Sequence, residues 1–301
     1  MIEFKSPELS DRSWIEPILR ESGFRGNEYA FATMYMWGKP YHIQVARYGD
    51  FLLVKTKGEG RHSYLYPAGT GDIGEVVKLL IADSKEQGAK FEMYGLTAET
   101  KAILEEALPD TFAFTTDRDF SDYVYNVEDL AELRGKKYHG KRNHIAKFEK
   151  NFPAWQYEDI TKENIEDCFA MNTKWCELNG CMKDPGLKKE YCAVKAGFEN
   201  FFELGLIGGL IRNENGVVAY TMGERIGKDT LLVHFEKAFY DVQGSYPIIN
   251  REFVRHHAGD LLYVNREDDT GDEGLRKAKL SYHPAFLLEK YQAVLKGDVA
   301  L

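Results

Sequence analysis

Within residues 263–284, Arg266, Glu267, Asp268, Asp269, Asp272 and Glu273 stand almost side by side. Two glycines then lead to Arg276, Lys277 and Lys279. Opposite charges at this density beside turn glycines suit the positioning of a polar substrate better than a solvated loop. Bound Ca²⁺ would require oxygen ligands that alternate along the loop, and that spacing is absent, so no metal is expected. The carboxylates, Asp269 among them, are expected to pair with Arg266, Arg276 or Lys279, or to contact substrate.

Residues 230–238, Thr-Leu-Leu-Val-His-Phe-Glu-Lys-Ala, read as a strand whose alternation puts Leu231, Val233 and Phe235 on one face. Leu232, His234 and Glu236 then share the other face. A His and a Glu are costly to bury unpaired in so apolar a strand. Glu236 is therefore a candidate general base with a raised pKa, with His234 as its alternative; a hydrogen-bonded structural pair is the competing reading. The following loop carries Gly244, Ser245 and Tyr246 just ahead of a helix expected at 247–258. Backbone amides there, with the helix dipole, would hold a phosphate of a donor molecule, although an ordinary strand-to-helix turn fits as well.

Residues 134–150 contain seven Lys or Arg and one Glu, a local charge of +6 in a chain of net charge −9. Tyr138, Ile145, Phe148 and Phe152 can pack on one helical face. Lys137, Lys141 and Arg142 then remain to receive a polyanion or a phosphate, the alternative being a solvated basic helix. No G-x-S-x-G elbow and no H-E-x-x-H occurs, which disfavours serine hydrolases and zincins.

These residues need rigid elements to place them. Helices are expected at 8–22, from 72 to about 88, at 97–108, from 161 and from 187, and after Pro284. Strands are expected at 41–47, 51–57, 63–67, 91–94, 111–115, 120–126, 155–160, 205–212, 217–226, 230–238 and 261–265. Each half thus reads helix, antiparallel strands, Gly loop, helix, strand, helix. This implies an α/β (α+β) fold of two similar units, residues 1–125 and 126–301, with mixed, mostly antiparallel sheets flanked by helices and the active cleft in the second.

The chain has 301 residues, 44% of them hydrophobic, with 18 Tyr and 18 Phe, so disorder is not expected. No apolar run is long enough to span a bilayer, and residues 1–7 lack signal-peptide character, so a cytoplasmic location is expected. The acidic balance argues against a surface coated for nucleic acid. Cys168, Cys176, Cys181 and Cys192 form no C-x-x-C pair, and free buried thiols in a reducing compartment are expected.

The element order resembles the GNAT acyltransferase fold. More specifically, the motifs Asn265-Arg-Glu-Asp-Asp through Gly271 to Tyr282, and Gly135-Lys-Lys-Tyr-His-Gly-Lys-Arg-Asn-His144, resemble the DUF2156 family. That family is similar to the C-terminal catalytic region of bacterial phosphatidylglycerol lysyltransferases. The resemblance implies two tandem GNAT-like units and an acyl- or aminoacyltransferase with an acyl-CoA or aminoacyl-tRNA donor. A small-molecule, lipid or peptide acceptor would supply the amine or hydroxyl. It also implies that Lys277 and Lys279, ahead of Pro284, help hold phosphate, and that tRNA is a possible partner through the basic segment. The alternative is a non-catalytic protein that binds an anionic ligand such as tRNA or a nucleotide on the same fold.

Overall fold

The computed structural model describes residues 2–58 and 61–297; the outer ends of the two expected units, at Met1 and Leu301, lie outside them. The first sheet orders its strands Gln44–Tyr48, Phe51–Gly58, Arg61–Leu65, Lys90–Leu96, Tyr291–Leu295 and Phe112–Thr116, with Ala68–Gly69 attached to the second of these. The second sheet runs Phe286–Leu288, Asp122–Asn126, Tyr263–Asn265, Thr230–Ala238, Gly216–Ile226, Ile207–Asn213 and Gln156–Asp159. Pairing is antiparallel throughout, except for Arg61–Leu65 with Lys90–Leu96 and Thr230–Ala238 with Tyr263–Asn265.

Local chemistry sets several boundaries. Gly49, at φ 56, makes the left-handed turn between the first two strands. Asp72 caps the helix Ile73–Glu86 by accepting the Glu75 N–H, and Asp184 does the same at Leu187 ahead of Pro185. Helix Ile73–Glu86 buries Val76, Val77, Leu80 and Ile81 against Leu53, Tyr64, Phe91 and Met93 of the first sheet. Helices His139–Asn151 and Ser245–His257 cover the second sheet with Ile145, Phe148, Ile248 and Phe253. A third core joins the halves: Met34, Met36, Val45 and Leu52 meet Cys168, Phe198, Met222 and Phe235.

The C-terminal segment differs from expectation. The helix expected after Pro284, on which the spacing of Leu287, Leu288, Tyr291 and Val294 would make one apolar face, is replaced by two strands. Phe286–Leu288 pairs with Asp122–Asn126, and Tyr291–Leu295 slots between Lys90–Leu96 and Phe112–Thr116. The open edges of those two strands override helical periodicity, and Ala293 is buried in the first core. The sheets therefore exchange segments: Asp122–Asn126 belongs to the second, and the last strand returns to the first.

The cysteines also depart from expectation. Cys176 and Cys181 are joined in a disulfide, Cys168 is buried and free, and Cys192 is exposed. Gly180, at φ 67, ends helix Ile165–Asn179 and reverses the chain, so the Cys181 N–H reaches the Cys176 carbonyl and the two thiols meet.

One polar group crosses the first core. Lys55 Nζ donates to Asp83 Oδ2 at 2.9 Å, and Tyr64 donates to the same oxygen at 2.6 Å, with the Phe4 ring 4.0 Å from the ammonium. Both charged side chains are almost fully buried. Asp83→Ala strands the Lys55 charge and is expected to cost about 3–5 kcal/mol in urea unfolding. The double substitution Lys55→Met with Asp83→Leu should recover most of that loss. A single variant within about 1 kcal/mol of the parent would show that the pair is not held as described.

Candidate functional site

Strands Thr230–Ala238 and Tyr263–Asn265 pair for three residues, Thr230 with Tyr263 through Leu232 with Asn265, and then part. Two side-chain bridges span the opening: Arg266 Nη2 to Glu236 Oε1 at 2.8 Å and His234 Nδ1 to Glu267 Oε1 at 3.1 Å.

The expected common face for His234 and Glu236 is not formed. Across from this strand, Met222 pairs with Phe235 and Gly223 with Val233, so His234 is the extra residue of a β-bulge. Gly223 permits the tight approach, since a Cβ there would lie 2.0 Å from the Leu232 carbonyl oxygen. The bulge inverts the alternation. His234 turns to Glu224 and Glu267, while Glu236 turns to Asn250 of helix Ser245–His257.

His234 is fully buried, with Nε2 3.0 Å from Glu224 Oε1, an oxygen that also accepts the Ala32 N–H. Burial by itself lowers the imidazole pKa, but the hydrogen bonds and charges of Glu224 and Glu267 outweigh it and hold His234 at about 9. At neutral pH it is an imidazolium that donates from both nitrogens, so it has no free base to offer.

On the opposite face, Glu236 accepts from Arg266 and, at 3.0 Å, from Asn250 Nδ2. The Arg266 guanidinium lies 4.7 Å from the Tyr282 ring centroid, and Lys141 Nζ lies 3.8 Å from the same centroid. Burial, reinforced by Arg266 and opposed by Glu236, brings Lys141 down to about 8. Asn250 Oδ1 and Arg266 Nη1 are buried without a hydrogen-bond partner. The sequence-predicted Lys141, Arg266 and Glu236 are thus brought together. Lys137 and Arg142 are not: Lys137 faces Asp129, and Arg142 donates to the carbonyls of Leu133 and Gly135.

The loop after Asn265 divides its charges between structure and solvent. Asp269, fully buried, accepts from Tyr123 at 2.5 Å, Arg118 at 2.9 Å, Arg276 and the Gly271 N–H. These donors, Arg276 foremost, overcome its burial and hold its carboxyl well below the usual range. Arg276 also reaches Asp119. Lys279 donates to the carbonyls of Arg266, Glu267 and Asp268, and burial first, then Arg266, lowers it to about 8. Asp269, Arg276 and Lys279 therefore fasten the loop, and Lys277 is exposed. Fastening is needed because Glu267 and Thr270 adopt left-handed backbone, at φ 58 and 47.

That conformation turns Glu267 and Asp268 into a cleft of 890 Å³ between the two sheets. Trp37, Tyr41, Tyr94 and Tyr291 contribute to its walls, and Glu28 and Lys290 to its floor. Lys290 Nζ binds Glu28, Asp122 and Asn27, each at 2.7 Å. Burial, together with the like charges of Asp122 and Glu267 and against Lys290 and Lys279, pushes Asp268 up to about 7.

The predicted phosphate loop is occupied by packing. A Cβ on Gly244 would meet the His144 carbonyl oxygen at 2.3 Å, so helix His139–Asn151 lies directly on it. Ser245 gives its N–H to Val242 and its hydroxyl to Phe239, and Tyr246 sets its hydroxyl against Ala238 and Trp175. Sequence reasoning missed Glu224, Asn250, Glu28 and Lys290, and gave Asp268 no role of its own. Glu224 carries a signal like that of His234, an ionisable group within a mostly apolar strand. Lys290 and Glu28 carry none, since only the fold brings them together.

The raised His234 sets a pH test. Its folded pKa lies above the unfolded value of about 6.5, so its contribution is complete below that pH and is lost as pH rises through 9. The stability difference between the parent and His234→Gln is expected to shrink by on the order of 3 kcal/mol over that interval. A difference independent of pH in urea titrations would remove the charged triad.

Against known proteins, residues 19–294 match the family described as "Phosphatidylglycerol lysyltransferase, C-terminal". A conserved protein of unknown function from Bacteroides thetaiotaomicron is 40% identical, covers 98% of this chain and 100% of its own, and superposes with a TM-score of 0.95. L-PGS from Bacillus licheniformis shares the fold at 16% identity and a TM-score of 0.67, over 96% of this chain and 93% of that one. An uncharacterized protein of Mycoplasmoides gallisepticum is 26% identical over 57% of this chain, a match that spans about half, 55%, of that protein. Among the described residues no helix is long and apolar enough to cross a membrane. The architecture is mixed α+β, with two sheets flanked by helices, and the chain belongs to the phosphatidylglycerol lysyltransferase C-terminal family.

Proposed function

We infer that the protein is an acyl- or aminoacyltransferase whose reaction centre lies where strands Thr230–Ala238 and Tyr263–Asn265 part. The observation that carries this reading is a single opened strand with polar sites on opposite faces, Glu236–Arg266–Lys141 on one and His234–Glu267 beside the cleft on the other. Group transfer requires two substrates to reach one point from different directions, and this arrangement supplies both approaches.

Lys141 and Arg266 hold the donor, a CoA thioester or an aminoacyl-tRNA ester, and Arg266 Nη1 has hydrogen-bonding capacity left for it. The acceptor amine or hydroxyl enters from the cleft. An alcohol, or an amine that has given its ammonium proton to solvent, attacks the acyl carbon through its oxygen or nitrogen and passes a proton to Asp268. The C–S or C–O bond to the donor breaks, and the leaving thiolate or ribose oxygen takes a proton from Lys141. Asp268 at about 7 and Lys141 at about 8 are matched to proton transfer near neutrality. Glu236 orients Arg266, and His234 fixes Glu267.

Asp268→Asn is expected to lower kcat by about 10²–10⁴-fold and to abolish the acid limb of the pH profile near 7. Turnover within threefold of the parent would exclude Asp268 as the base. Glu236→Gln should reduce turnover by releasing Arg266 without moving that limb; unchanged turnover would remove Glu236 from the mechanism.

The donor class has its own test. Lys136, Lys147 and Lys150 are exposed on or next to helix His139–Asn151, which also carries Lys141. With a tRNA donor, KM should rise steeply between about 50 and 200 mM salt as phosphate contacts are screened, and replacing these lysines by Glu should flatten the response. A response that is flat in the parent protein would exclude tRNA.

A further inference from the structure

We propose that the floor of the cleft binds a primary ammonium group, which makes the acceptor an alkylamine. The word acceptor rests on the transferase reading; the binding site does not. Glu28, Glu267 and Asp268 face this floor, with Asp122 fully buried behind them. The nearby cations are already used, Lys279 by the carbonyls of Arg266, Glu267 and Asp268. Lys290 has three ammonium hydrogens and three oxygen partners, on Glu28, Asp122 and Asn27, each at 2.7 Å. The imidazolium of His234 gives one N–H to Glu224 and the other to Glu267.

Acceptor capacity is left over. Glu28 Oε2 is buried with no hydrogen-bond partner, as is the hydroxyl oxygen of Thr33, which lines the same cleft. Asp268 accepts the Thr270 N–H at 3.1 Å through one oxygen. A buried acceptor without a donor costs free energy that an entering donor restores, and an ammonium brings three N–H groups. Trp37, Tyr41, Tyr94 and Tyr291 add ring faces that attract a cation and cover an aliphatic stem. Tyr41 already holds the Lys189 ammonium 4.7 Å from its ring centroid. A phosphate on this floor would instead meet Glu28 and Asp268. The basic residues Lys57, Arg61 and Lys189 also line the cleft, with Arg61 3.9 Å from Glu92, and leave room for a neutral or anionic far end.

The groups facing Asp268 predict a proton signature. Burial and the negative charges of Asp122 and Glu267 favour its protonated form, Lys290 and Lys279 oppose them, and Tyr41 lies within electrostatic reach. An ammonium placed beside it shifts the balance to carboxylate, so binding near pH 7 releases a proton.

The test is calorimetry on the full chain, without donor, using 1,5-diaminopentane at pH 7 in two buffers of different ionisation heat. Saturable binding is expected, with a buffer-dependent heat that reports proton release. Glu28→Gln and Asp268→Asn should each weaken it at least tenfold, while 1-pentanol and glycerol 3-phosphate bind far more weakly. Melting curves of both variants establish that they are folded, and Asp268→Asn, which disturbs no ion pair, keeps the test valid if Glu28→Gln does not fold. Diamine binding no tighter than that of pentanol, or glycerol 3-phosphate binding that Asp268→Asn leaves unweakened, overturns the proposal. Diamine binding without any transferase turnover would sink the catalytic reading and leave this site standing.

Discussion

The ammonium of Lys290 lies between the two sheets, where an unpaired charge would cost several kcal/mol. It sits at the junction of the last two strands, one in each sheet, and binds Asp122 of the second sheet and Glu28 of the N-terminal segment. Asp122 in turn accepts the side chain of Asn265 and the N–H of Asn27. Strand exchange, the closing of the cleft floor and the placement of Tyr263–Asn265 thus share one electrostatic requirement. If the ammonium moved, a fully buried carboxylate would lose its counter-charge, and the parted strands would lose their common anchor.

From that anchor the charged loop inherits its shape. Asn265 Oδ1 accepts the Glu267 N–H, Lys279 gathers three successive carbonyls, and Asp269 gathers three side-chain donors from Arg118, Tyr123 and Arg276. Left-handed backbone at Glu267 and Thr270 is tolerable under such over-determination. Its consequence is a sorting of neighbours. Asp269 goes into structure, Arg266 to the face that carries Glu236 and Lys141, and Glu267 and Asp268 to the cleft.

Much of the fold was legible from local signals. Asp72 and Thr97 cap helices where the apolar periodicity places their starts, and Gly49 turns the expected hairpin. The family motifs implied the tandem architecture. Two failures have the same origin, because local alternation says nothing about distant partners. Leu287, Leu288, Tyr291 and Val294 have helical spacing, but strand edges formed far earlier in the chain claim them. Strict period two puts His234 and Glu236 on one face, and a bulge opposite Gly223 undoes it. In the candidate site, the density of charge between Arg266 and Lys279 singles out one loop, part of which lines the cleft. It did not separate fasteners from cleft groups, since Asp268 and Asp269 are adjacent in sequence and opposite in role. Lys290 and Asp122, 168 residues apart, offered no signal before folding joined them.

The bulge at His234 is what converts a strand into a partition. Without it, both ionisable side chains would project to one side and neutralise each other or share one bound group. With it, cationic Arg266 and Lys141 occupy the helix-covered face, and the carboxylates Glu267 and Asp268 occupy the cleft. In the proposed reaction each face would then favour a substrate of opposite charge, and neither substrate would be attracted to the other's position. Such a division suits a reaction that must keep an activated acyl group away from water until a particular acceptor is seated. The Glu236–Arg266 and His234–Glu267 bridges hold both faces at the same opening, so the order of charges along residues 266–268 is itself the device that brings the two approaches together.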